Sequence, residues 1–168
     1  MQDEILVVHP LQPIYNQKSK VLILGTMPSP VSRQVLFYYG HPQNRFWSVM
    51  AAICGETLPE DQESKKNLAL RHGFALWDVL HSCTIRGAED TTIRNPVAND
   101  FTEILQSSEI NRIFTTGQQA TKLYSQLCLP KTGLLSVYLP STSAANRGNY
   151  PMQELLQSYA KELQGLLR

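Results

Sequence analysis

The chain has 168 residues, 42% of them hydrophobic and 17% charged, with a formal net charge of +1 at pH 7. That length suits one domain, expected over residues 1–168, and the apolar content is enough for a real core, which excludes a disordered or polyelectrolyte chain. The charge is not that of a strongly basic nucleic-acid binder, so any contact with nucleic acid must rest on a local patch, backbone amides and shape. No apolar run is long enough to span a membrane, and Asp3 and Glu4 do not suit a secretory signal. Three widely spaced cysteines (Cys54, Cys83 and Cys128) read as small buried hydrophobes in a reducing compartment, with the cytoplasm as the expected location.

Residues 1–20 read as an irregular lead-in broken by Pro10 and Pro13. Residues 21–24 are a continuous apolar run ended by Gly25, the pattern of a central parallel strand. The spacing predicts a helix over 44–54 and a second over 60–72, stopped by Gly73. Residues 74–80 read as another buried strand. Residues 83–99 read as a polar loop of unusual length, and such loops in compact domains are usually functional or disordered. Asn99 or Asp100 caps a helix running through Ser107, residues 110–115 form a third strand, and Gly117 opens a helix to 127. A fourth strand is expected over 134–139 and a closing amphipathic helix over 150–167. The alternation predicts an α/β fold, a three-layer α/β/α domain around a short four-stranded parallel sheet. Ligands bind such sheets at the carboxyl ends of the strands, here the segments after Leu24, Leu80 and Leu139.

Several familiar chemistries have little support. His9, His41, His72 and His81 show no metal-ligand spacing, neither nucleotide-binding glycine motif is present, and Ser141 and Ser143 lack the GxSxG surroundings of a nucleophile. What remains are two proline-containing, hydroxyl-rich strand exits, "GTMPS" and "PSTS", each able to offer backbone N–H groups and a hydroxyl to a phosphate. Between them an aromatic wall (Tyr38 or Tyr39) and an amide (Asn44) complete a pocket of the kind needed to extract one base from a duplex.

These residues resemble the uracil-DNA glycosylase superfamily, and within it the hypoxanthine-DNA (deoxyinosine) glycosylase branch. The resemblance rests on "GTMPS", "YYGHPQNRFW", "ALWDVLHSC", "TTGQQA" and "LPSTSAANRG", in order and across nearly the whole chain. Many members carry Asp or Asn where this chain has Met27, and His or Asn where it has Leu139. The hypoxanthine branch is similar in lacking both, and in it the catalytic amide belongs to the asparagine matching Asn44. The resemblance implies that Asn44 holds the attacking water, and that Tyr39 stacks on the flipped base. Gly25, Thr26, Met27 and Phe46 are the expected companions of Tyr39 around the base. Pro28, Ser29, Ser141, Thr142, Ser143, Asn146 and Arg147 are the expected DNA contacts. No metal or organic cofactor is implied.

Each role has a plain alternative. Asn44 also suits the cap of the helix that follows. Tyr39 also suits a half-buried loop position. A carboxylate at Asp78 would accept from N1–H of hypoxanthine and repel N1 of adenine, yet it equally suits a strand end bonded to local amides or Arg86. The hydroxyls of both strand exits suit ordinary turns, and Arg86, Arg94, Asn146 and Arg147 suit a solvated surface. The expected function is removal of deoxyinosine from DNA by hydrolysis of its N-glycosidic bond, without a lyase step, by a monomer with no obligate protein partner. The rivals are excision of uracil or a broader set of deaminated bases, a non-catalytic binder of damaged bases, and a small-nucleotide hydrolase.

Overall fold

The structure, a computed structural model, describes residues 3–168. In chain order its strands are β1 (Glu4–Val8), β2 (Val21–Gly25), β3 (Phe74–Asp78), β4 (Leu80–Arg86), β5 (Glu89–Ala98), β6 (Arg112–Thr116) and β7 (Ser136–Leu139). Its helices are α1 (Pro30–Val35), α2 (Phe46–Ile53), α3 (Gln62–His72), α4 (Thr102–Gln106), α5 (Gln118–Leu127), α6 (Leu129–Thr132) and α7 (Met152–Leu163), with a short 3-10 turn at Ala144–Asn146.

The four apolar runs pair as one parallel sheet in the order β3-β2-β6-β7. Residues of β2 are buried on both faces, which is why the strand reads as an unbroken apolar run. Val21, Ile23, Phe74 and Leu76 pack on one side, under α2, α3 and α7. Leu22, Leu24 and Ala75 pack on the other, under α4, α5 and β4. The three-layer α/β/α architecture follows from this alternation. Register aligns the carboxyl ends, with Gly25 opposite Asp78 and Thr116 opposite Leu139. Chain connections leave β2 toward β3 on one side and β6 toward β7 on the other, so the sheet changes direction between β2 and β6.

Helix boundaries follow local chemistry. Asp61 caps α3 by accepting from Ser64 N at 2.7 Å, and Gly73 ends it at φ +81°. Asp100 Oδ1 accepts from Thr102 N at 2.9 Å at the start of α4. Each helix predicted over 44–54, 60–72, 100–107 and 150–167 forms a little shorter than its pattern, because the flanking polar residues lie in capping turns.

Two expectations are overturned. The lead-in is not irregular throughout, since Glu4–Val8 form an edge strand. The segment 83–99 is not a loop. It is mostly a β-hairpin, β4–β5, which pairs with β1 into a second, antiparallel sheet. Register shifts between Leu80 and Arg86 break the period-2 signal that would have marked these strands. The strand predicted over 74–80 is correspondingly two strands, parting at Val79.

Candidate active site

A cavity of about 380 Å³ opens at the carboxyl ends of β2, β3 and β6, where the sheet changes direction. Its walls come from the loop after β2 (Gly25 to Ser29), the segment before α2 (Tyr38 to Asn44), Asp78, Thr116, the hairpin tip and the loop after β7. These elements are distant in sequence, and the shared strand ends bring them together.

Asn44 stands at the wall of this cavity. Its Oδ1 accepts from Phe46 N at 2.9 Å, capping α2, and from the Thr142 hydroxyl at 2.8 Å. Thr142 also accepts Arg45 N on its carbonyl, at 3.1 Å, so the loop after β7 is latched to the start of α2 through both backbone and side chain. The Asn44 amide nitrogen Nδ2 has no protein partner among the described residues. Thr142 is 1% exposed, which places it in this latch and away from any DNA surface. Arg45 adds a second tie, donating from Nη1 to Tyr150 O at 2.6 Å.

Tyr39 is held at φ +53°, a conformation that side chains rarely adopt. The turn lays its ring parallel to Phe46, with centroids 3.8 Å apart. Phe46 itself is 0% exposed and does not line the cavity, because the first turn of α2 directs it into the core. It supports the Tyr39 ring from behind, and so corrects the expectation of direct contact with a ligand. Tyr38 is buried too, donating its hydroxyl to Gln12 O at 2.8 Å, so Tyr39 is the aromatic face on offer. Tyr39 Oη is buried without a hydrogen-bond partner among the described residues. Burial, then the Asp78 charge, raises its pKa, so it is a phenol at neutral pH.

Asp78 is 4% exposed and lines the cavity. Its partner is neither a local amide nor Arg86. Its Oδ2 takes a 2.7 Å hydrogen bond from His9 Nε2, across 69 positions of sequence. His9 Nδ1 accepts Leu11 N at 3.2 Å, so the ring proton sits on Nε2 and donates to the carboxylate. Gly25 is required beside it, since a Cβ there would lie 2.6 Å from Asp78 Oδ1. Gly25→Ala is therefore expected to destabilise the fold by about 1–3 kcal/mol, read by urea unfolding. Wild-type stability would mean that the carboxylate yields freely and is not held.

Asp90 on β5 also lines the cavity, a placement hidden from the sequence because 83–99 reads as one polar loop. Burial raises its pKa, the Asp78 charge adds to the shift, and the Thr26 hydroxyl opposes it. Thr26 and Met27 are buried at the cavity edge, 5% and 9% exposed. The only sequence sign of Asp90 was its position in a segment too long to be idle.

The hydroxyls of the strand exits are mostly engaged in turns. Ser29 Oγ accepts Ser32 N at 3.2 Å as the cap of α1, and the Pro28 carbonyl accepts Arg33 Nη1 at 2.7 Å. Ser141 Oγ accepts Ser143 N at 3.2 Å, and Ser143 Oγ accepts Ala145 N at 3.3 Å. Ser29, Ser141 and Ser143 still border the cavity mouth. Asn146 donates to Ser141 O at 2.9 Å and stabilises its own loop. Arg147 is exposed, with Nη2 donating to Gln43 O at 3.4 Å. Arg86 and Arg94 are exposed on the hairpin. Of the three cysteines expected to be buried, Cys83 and Cys128 are, while Cys54 is half-buried; burial pushes the pKa of Cys54 and of Cys128 up to about 11. Among the described residues, no helix is long and apolar enough to cross a membrane.

The cavity lies at the sheet's change of direction on an α/β/α scaffold, with Tyr38, Tyr39 and Asn44 in its walls and turn hydroxyls at its rim. The sequence model of the Uracil DNA glycosylase superfamily matches residues 12–164, and the chain belongs to that superfamily. Two similar proteins, from Methanosarcina acetivorans and Methanosarcina barkeri, are each named hypoxanthine DNA glycosylase. Both are 32% identical to this chain, over 80% of it and 85% of their own length. A solution NMR structure from Methanosarcina acetivorans, described as a candidate uracil DNA glycosylase, superposes with a TM-score of 0.78 at 26% identity and 96% coverage of both chains.

Proposed function

We propose that this protein is a DNA glycosylase that flips deoxyinosine from DNA and hydrolyses its N-glycosidic bond, leaving hypoxanthine and an abasic site. The observation that carries the proposal is the pairing of Asn44 and Tyr39 in one cavity, in a chain whose relatives are named for hypoxanthine. The Tyr39 face replaces the stacking that the base loses on leaving the duplex.

Asn44 then handles the water. One lone pair of Oδ1 is committed to capping α2, and the second takes a hydrogen bond from the Thr142 hydroxyl. A hydroxyl rotates freely about its C–O bond, so turning it away releases that lone pair for a water below the anomeric carbon. An amide is a weak base, so the C1′–N bond must break early, building an oxocarbenium-like sugar that the water captures. The base leaves as an anion with the bonding electrons, the water oxygen bonds C1′, and the proton the water gives up ends on the departed base, which is released as neutral hypoxanthine. No lysine is among the residues lining the cavity, which supports hydrolysis without a Schiff-base lyase step. The protein acts on DNA containing deaminated bases as a monomer in the cytoplasm, through one domain and without an obligate protein partner. Ser29, Ser141, Ser143 and Arg147, at or near the cavity mouth, are the contacts for flanking phosphates.

A second reading, excision of uracil or several deaminated bases, is favoured by the chemistry of the edge, since uracil also presents an N–H beside a carbonyl. Labelled duplexes carrying inosine, uracil or neither, incubated in EDTA and cleaved with alkali, decide between them. Strand breaks at inosine support the proposal. Breaks at uracil alone overturn the substrate, and binding without breaks overturns catalysis.

A further inference from the structure

Two carboxyls share the cavity and differ in environment. Asp78 Oδ2 is held by His9, leaving Oδ1 toward the cavity. Asp90 arrives from a different element, the β4–β5 hairpin, beside Thr26. The buried, unpartnered Tyr39 Oη marks the same corner, for a Cβ on Gly25 would lie 2.6 Å from Asp78 Oδ1 and 3.7 Å from Tyr39 Oη. Polar groups with unused capacity thus line one cavity, the arrangement of a site that awaits polar atoms of a ligand.

We infer, building on the glycosylase reading above, that Asp78 and Asp90 jointly read the flipped base, Asp78 accepting from N1–H and protonated Asp90 donating to O6. Hypoxanthine presents this donor and acceptor side by side, and two carboxyls in different protonation states match them. Adenine presents the reverse, an acceptor at N1 beside a donor amino group, and leaves both carboxyls mispaired. Guanine shares the N1–H and O6 edge, so the pair discriminates against adenine and not against guanine. The contact to O6 also has a catalytic consequence. As the C1′–N9 electrons withdraw into the base, O6 gains negative charge, and a donor already in place stabilises it. The direction of the Asp90 shift fits this role: burial favours its neutral form and the Asp78 charge adds to that, against the Thr26 hydroxyl. Asp90 acts on Cys83 of β4, itself near Arg33 of α1, and is acted on by Asp78, around which lie Tyr38 and Tyr39 before α2 and His9.

The sign of the pH dependence follows. The active form carries a proton on Asp90, so excision is full below its raised pKa and is lost as pH rises through it. The test is single-turnover excision from inosine and adenine duplexes over a pH series of about 5 to 9. An amide at position 90 donates without titrating, though less strongly. Asp90→Asn is expected to be slower than wild type at acid pH and to lose the alkaline decline. Asp90→Ala and Asp78→Asn are each expected to lose about 10- to 100-fold on inosine, the size of a hydrogen bond involving a charged or buried partner. Asp78→Asn is also expected to raise the adenine-to-inosine ratio. An Asp90→Asn profile that declines as in wild type, or Asp90→Ala excising at the wild-type rate, overturns the inference. If the wild-type protein itself releases no hypoxanthine, the glycosylase reading fails instead, so the two failures are distinct.

Discussion

Asn44→Ala is expected to lower single-turnover release of hypoxanthine by about 100- to 10,000-fold, the range for losing a positioned group that handles a proton in the transition state. The same change removes the cap of α2, at a cost of about 1 kcal/mol. Rate and stability must therefore be separated. Asn44→Ser keeps a short acceptor for Phe46 N but cannot reach a water in the cavity. It is expected to restore most of the lost stability, read as the thermal midpoint, and none of the lost rate. Asn44→Asp keeps both acceptor positions, and its negative charge suits a helix N-terminus. It is expected to excise measurably faster than the alanine variant. A serine variant with wild-type turnover would reduce Asn44 to a cap.

Tyr39→Leu carries the second large effect. Stacking on an aromatic side chain is worth about 1–3 kcal/mol per base, so the leucine variant is expected to bind the flipped nucleotide about 10- to 100-fold more weakly. It also uncovers Phe46, whose ring Tyr39 covers at 3.8 Å. Tyr39→Phe separates ring from hydroxyl. The hydroxyl is buried without a partner, and such a group costs about 1–3 kcal/mol in the free protein. The phenylalanine variant is expected to melt higher than wild type and to excise more slowly, by less than the leucine variant loses. A site that holds an unsatisfied group for its ligand gives up stability for function in this way. Wild-type excision by Tyr39→Leu would remove Tyr39 from the role of platform.

Much of this geometry was legible in the residues. The inner strands of the parallel sheet are apolar runs because both faces are covered, and the switch of direction at their carboxyl ends located the site. Asn44, Tyr39 and Asp78 do meet in one cavity. Other placements went astray for local reasons. Phe46 is two residues beyond Asn44 but enters the core, since a helix starts between them and turns successive side chains by about 100°. Thr142 sits among turn hydroxyls at the cavity rim, yet faces inward to Asn44.

The sequence by itself determined the four strands of the parallel sheet, the longer helices packed on it and the neighbourhood of the site, because apolar periodicity and turn chemistry are local properties. Only the tertiary structure decided what the site contains. His9 reaches Asp78 across 69 positions and Thr142 reaches Asn44 across 98. Asp90 reaches the cavity through a hairpin whose irregular, half-exposed strands carry no clear period. Hydrogen bonds between distant segments depend on the register and packing of the whole chain, and no short stretch of residues encodes them.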